Sequence, residues 1–115
     1  MRLPEKIFVA TQPINMQLSF DRLAGIVRSE FGDDPREDAV FVFHNRRHTY
    51  LKLLWHDGTG YRIVMKRLDR GQFRIPLAIP IGATKVQVSS RELRIIFEGV
   101  DMKLIRAARK AALED

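Results

Sequence analysis

Between His44 and Arg74 the chain gathers the residue types that could hold a polyanion. Arg46, Arg47, Lys52, Arg62, Lys66, Arg67, Arg70 and Arg74 stand there against only Asp57 and Asp69. The rest of the chain carries twelve basic and twelve acidic side chains, so this segment accounts for the whole formal net charge of +6. A field this one-sided attracts nucleic-acid phosphates or acidic protein surfaces. Guanidinium suits both, because its planar fork pairs bidentately with phosphate and carboxylate alike. Phe41, Phe43, Tyr50, Trp55, Tyr61 and Phe73 interleave with the cations. Aromatic rings can stack on unpaired bases, although in strands most of them fill a core. Trp55 and Phe43 are assigned here to the core, Tyr50 and Tyr61 to the surface. The competing explanation of the charge is that lysine and arginine keep an exposed sheet soluble and block edge-to-edge pairing.

Other chemistries have weaker support. Metal-dependent phosphodiester cleavage needs clustered carboxylates. Asp21 falls in a first helical turn, Asp57 and Asp69 at turn positions, and Glu98 and Asp101 beside a helix end, each a place an acid takes for local reasons. A nuclease built on Asp57 and Asp69 ranks a distant third among the readings. His44, His48 and His56 match no zinc spacing, and the chain has no cysteine. Ser19, Ser89 and Ser90 read as helix caps, with no Gly-x-Ser-x-Gly elbow. Gly58, Gly60 and Gly71 have turn spacing without a phosphate-cradling Gly-Lys-Ser/Thr. No catalytic residue, metal or cofactor is therefore expected.

The elements that must position the cations follow from pattern. Lys6 to Ala10 reads as a strand ended by Pro13. Phe20, Leu23, Ala24, Val27 and Phe31 make a helical stripe behind Ser19, and Gly32 stops it. Val40–His44, Tyr50–His56 and Tyr61–Leu68 read as strands. Asn45–His48 forms one turn, Asp57-Gly58-Thr59-Gly60 a strong hairpin signal, and Asp69-Arg70-Gly71 another turn before a further strand at Gln72–Ile75. Pro76 and Pro80 bracket an extended linker, and Lys85–Val88 suits one more strand. Ser89 and Glu92 form a capping box for a helix carrying Leu93, Ile96, Phe97 and Val100. Met102–Leu113 reads as a second, basic and alanine-rich helical stretch. The expected class is α+β: an antiparallel β-meander sheet of about four to six strands with two or three helices packed on one face.

The 115 residues suggest a single domain over 1–115, with a basic β-meander at 40–76 and a helical C-terminal part at 89–113. Absence of cysteine suits a reducing interior. Apolar runs fall well short of the ~20 residues that span a bilayer. The opening MRLPEKIFVATQP does not read as a signal peptide. A soluble cytoplasmic protein with no membrane partner is expected, its oligomeric state unread.

Most of the chain, from about Asn15 to Met102, resembles the TnpB-type accessory protein, encoded by the second reading frame (Orf-two-like), of the insertion-sequence-sixty-six family of transposable elements. The resemblance rests on Phe41-Val42-Phe43, the basic turn Asn45-Arg46-Arg47, Leu51-Lys52-Leu53-Leu54-Trp55 and Asp57-Gly58-Thr59-Gly60. It continues through Lys66-Arg67-Leu68-Asp69-Arg70-Gly71-Gln72-Phe73-Arg74-Ile75-Pro76 and Glu98-Gly99-Val100-Asp101. The chain departs from the family pattern at Asn15-Met16-Gln17-Leu18 and Phe20-Asp21-Arg22-Leu23, losing two basic residues and a glycine, and at His56, where the family has a second tryptophan. The resemblance implies a bacterial mobile-element protein that works beside a separate catalytic transposase. With the residue chemistry, it leads to the expectation of a non-catalytic accessory factor in DNA transposition. Arg46, Arg47, Lys52, Arg62, Lys66, Arg67, Arg70 and Arg74 would bind DNA with little or no sequence preference, and the transposase would be the protein partner. The alternative is an adaptor for that transposase with little DNA affinity of its own.

Overall fold

The computed structural model describes residues 3–75 and 78–99. Five strands form one sheet: β1 (Lys6–Ala10), β2 (Ala39–His44), β3 (Tyr50–His56), β4 (Tyr61–Arg67) and β5 (Lys85–Val88), in the order β4-β3-β2-β1-β5. Two helices are described, α1 (Phe20–Ser29) between β1 and β2, and α2 (Ser90–Glu98) after β5.

The meander from β2 to β4 follows the turn chemistry. Phe41 pairs with Leu54 and His44 with Leu51, and in the next hairpin Tyr50 pairs with Arg67 and His56 with Tyr61, all antiparallel. The sheet as a whole is mixed, not antiparallel throughout. β1 runs parallel to β2, with Ile7 opposite Val40 and Val9 opposite Val42. The cause is α1: a helix between two neighbouring strands returns the chain to its starting end, so the second strand runs the same way as the first. β5 then pairs antiparallel on the outer side of β1, Ile7 opposite Val88 and Ala10 opposite Lys85.

The two helices cover opposite faces, not one. Leu23 and Val27 of α1 pack with Phe41, Phe43 and Leu54. Leu93 and Ile96 of α2 pack with Val40, Val42, Leu51, Leu53 and Trp55. β2 lies between both layers and all six of its residues are buried, the continuous apolar run expected of a strand covered on two sides. Trp55 and Phe43 lie in the core as anticipated.

Local details refine the reading further. Ser89 and Glu92 form a reciprocal capping box at α2, whereas Ser19 occupies the N-cap of α1 without a side-chain hydrogen bond. Gln72–Ile75 is not a strand: it makes a single bridge at Gln72 and then drops Phe73 and Ile75 into the α2-side core. The helical stretch expected at Met102–Leu113 lies outside the described residues. No helix among those described is long and apolar enough to cross a membrane.

Candidate nucleic-acid interface

The β2–β3 connection is a closed, side-chain-braced tip. The Asn45 carboxamide oxygen accepts from the backbone N–H of Thr49 at 2.9 Å and of Tyr50 at 3.1 Å. Its nitrogen donates to the Thr49 hydroxyl at 2.9 Å. One residue must then take left-handed backbone, and His48 does so at φ 56, a region that histidine tolerates better than most residues. Arg46 and Arg47 occupy the exposed crown of this turn.

The chain leaving β4 is tied to the same tip. Leu68 N–H donates to Thr49 carbonyl at 2.9 Å and Phe73 N–H to His48 carbonyl at 2.6 Å. The Gln72 amide reaches Arg47 carbonyl at 3.0 Å. These bonds put Arg67, Arg70 and Arg74, all exposed, at the same end of the sheet as Arg46 and Arg47. None of the five makes a side-chain hydrogen bond or ion pair with another described residue. Five guanidiniums from two segments thus share one end, with the exposed Asp69 among them.

The remaining three expected cations lie elsewhere. Lys52 is only 5% exposed on the α1 side of the sheet, where its ammonium donates to Leu18 carbonyl at 2.6 Å. Burial lowers its pKa, because the charged form has lost water. Lys66 points to the α2 side, donates to Phe97 carbonyl at 2.8 Å and sits 4.9 Å from the centre of that ring, a cation closing a helix C-terminus. Arg62 lies toward the opposite end of β4, its Nε 2.6 Å from Asp57 Oδ2.

Asp57 has a local role. Besides Arg62, its carboxylate accepts from Thr59 N–H and hydroxyl and from Gly60 N–H. Arg62 first, and these turn donors after it, hold its carboxyl well below the usual carboxylate range. It terminates one end of the β3–β4 hairpin while Asp69 follows the other, ~20 Å away along a seven-residue strand. Paired-cation chemistry needs its carboxylates within one coordination sphere, so these two do not make a nuclease site. His44 is buried with Nε2 2.8 Å from Ala10 carbonyl and Nδ1 3.3 Å from Asn45 carbonyl. His48 meets it edge-on at 5.0 Å, and His48's pKa is lowered by burial and then by the His44 charge. His56 is at the far end of β3 beside Tyr61. Among the described residues no three histidines or acids converge as metal ligands.

Two surface assignments change. Tyr50 and Tyr61 are half-buried. Tyr61's hydroxyl is enclosed without a partner among the described residues, and Tyr50 approaches Met65 at the sheet's edge. Sequence reasoning also passed over the turn before β5, where Ile79 and Ile81 are exposed. The signal present was Gly82, a residue suited to the positive φ that the third position of a type II turn requires.

The model of IS66 Orf2-like proteins matches residues 5–107. The chain belongs to the IS66 Orf2-like family. Two curated proteins of Sinorhizobium fredii (strain NBRC 101917 / NGR234), both named only as uncharacterized, resemble it. Protein y4hO is 32% identical over 98 residues, covering 85% of this chain and 83% of y4hO. Protein y4jC is 29% identical over 101 residues, covering 88% of this chain and 84% of y4jC. No solved structure matches. Membership places the chain among transposition-associated accessory proteins of insertion sequences, a family of accessory rather than known catalytic proteins. The matched span includes both arginine-bearing segments and the turn before β5.

Proposed function

We propose that this IS66 Orf2-like protein is a non-catalytic accessory factor that binds DNA through the arginine-bearing end of its sheet and so assists a separate transposase. The observation that carries the reading is the gathering of Arg46, Arg47, Arg67, Arg70 and Arg74 at one end, exposed and unengaged by other described residues. A folded chain gains little from five adjacent like charges, which repel one another. A phosphate backbone turns that repulsion into attraction and releases condensed counterions. Lys52 and Lys66 are engaged by backbone carbonyls and Arg62 by Asp57 at the other end of β4, so none of the three belongs to this surface. Braced tips contacting phosphates fix register without reading sequence, which suits weak or absent sequence preference.

The test compares two purified variants with the wild type by fluorescence anisotropy on duplex DNA. Arg46, Arg47, Arg67 and Arg70→Ala, folded by circular dichroism, should lose at least about a hundredfold in affinity at low salt, as four phosphate contacts imply. Lys52→Met should bind as the wild type does. Equal binding by all three would remove the arginine end from the account. Absence of wild-type binding would favour an adaptor whose basic end docks an acidic surface of the transposase.

A further inference from the structure

The turn that leads into β5 presents apolar surface to solvent on a fixed base. Ala83 N–H donates to Pro80 carbonyl at 3.0 Å, and Gly82 takes φ 79, the positive φ that the third position of a type II turn requires. Ile81, at the second position, has 107% relative exposure, and Ile79 beside it 41%. The base is held by Thr11, whose N–H donates to Thr84 carbonyl at 3.0 Å and whose hydroxyl donates to Ala83 carbonyl at 2.7 Å. A β-branched side chain is thus displayed fully outside the core on a braced projection. That costs solubility and gains the fold nothing.

Its position gives it a use. Ala10 pairs with Lys85, and β1 runs parallel to β2, so the Ile81 turn and the arginine tips occupy the same end of the sheet. Three to four strand spacings, ~14–19 Å, separate β5 from β3 and β4, a span that one duplex can bridge. No acidic residue occurs from Ala78 to Val88, and the Asp33 carboxylate brought to the foot of the turn is neutralised by its ion pair with the Lys85 ammonium. We propose that Ile81, backed by Ile79 and Pro80, is a wedge that enters between stacked base pairs and kinks duplex DNA while the arginines hold the backbone. Isoleucine and proline are among the side chains that unstack base steps in this way, with kinks of about 20–90°. The inference rests on the DNA-binding reading above.

The experiment uses the full chain and a short duplex carrying a donor and an acceptor dye at its ends, with 2-aminopurine inside. Wild-type binding should raise energy transfer and brighten 2-aminopurine as a step unstacks. Ile79→Ser with Ile81→Ser changes two solvent-exposed side chains and should leave the fold intact by circular dichroism. That variant should still bind with an unchanged salt slope, lose no more than about tenfold in affinity, and leave the duplex straight. A double variant that bends DNA like the wild type overturns the wedge, as does wild-type binding without any bend, which leaves the arginine interface standing. No wild-type binding overturns both. If the double variant bends DNA normally but fails to capture purified transposase, the turn is a protein contact and the wedge is wrong.

Discussion

Lys52 and Arg46 look alike in composition and differ in what surrounds them. Lys52 is buried and donates to the part-buried Leu18 carbonyl, and removing it leaves that oxygen without its charged donor. Lys52→Met should therefore destabilise the fold by about 1–3 kcal/mol while DNA affinity stays within about twofold, read by denaturant titration beside anisotropy. His48 makes a second residue-scale prediction. Its lowered pKa means that between that value and 6.5 the unfolded chain binds more protons than the folded one. Stability then rises with pH across that window and falls on acidification through it. His48→Asn keeps a side chain suited to the left-handed backbone at φ 56. It should flatten the stability profile on the acid side of 6.5, and a profile unchanged from wild type would assign the acid sensitivity elsewhere.

At the scale of elements, two serines with the same look in sequence separate cleanly. Ser89 accepts from Glu92 N–H at 3.1 Å in a complete capping box, while Ser19 makes no side-chain cap bond. Ser89→Ala should cost about 1 kcal/mol and Ser19→Ala a few tenths at most, by chemical denaturation. Gly99 ends α2 at φ 76, where an added Cβ would lie 2.8 Å from Leu68 Cδ1. Gly99→Ala should cost about 1–2 kcal/mol, joining backbone strain to displacement of Leu68.

The meander was legible because Asn45–His48 and Asp57-Gly58-Thr59-Gly60 encode turns locally. The parallel β1–β2 pair was not, because it depends on where α1 returns the chain. Helices on two faces were missed for a related reason: Ala39 to Phe43 is apolar without alternation, and that pattern does not say which face a helix covers. The candidate site was half legible. Charge found every cation. Only strand register could tell Arg67, facing outward at the edge, from Lys66 beside it, turned toward Phe97.

For the whole molecule the question is where its charge lies. Of the eight cations between His44 and Arg74, Arg62 is paired at one end of the sheet and Lys52 and Lys66 are held by carbonyls, which leaves Arg46, Arg47, Arg67, Arg70 and Arg74 gathered at the other end. The proposed DNA-holding role is compatible with membership in a family of transposition-associated accessory proteins.

The most direct measurement is the salt dependence of wild-type duplex binding, from about 50 to 200 mM monovalent salt. Five phosphate contacts predict a slope of log affinity on log salt near −4.5, a loss of roughly five hundredfold across that range. A slope near zero, or no binding at the lowest salt, would contradict the claim that the arginine end of this sheet is a DNA-binding surface.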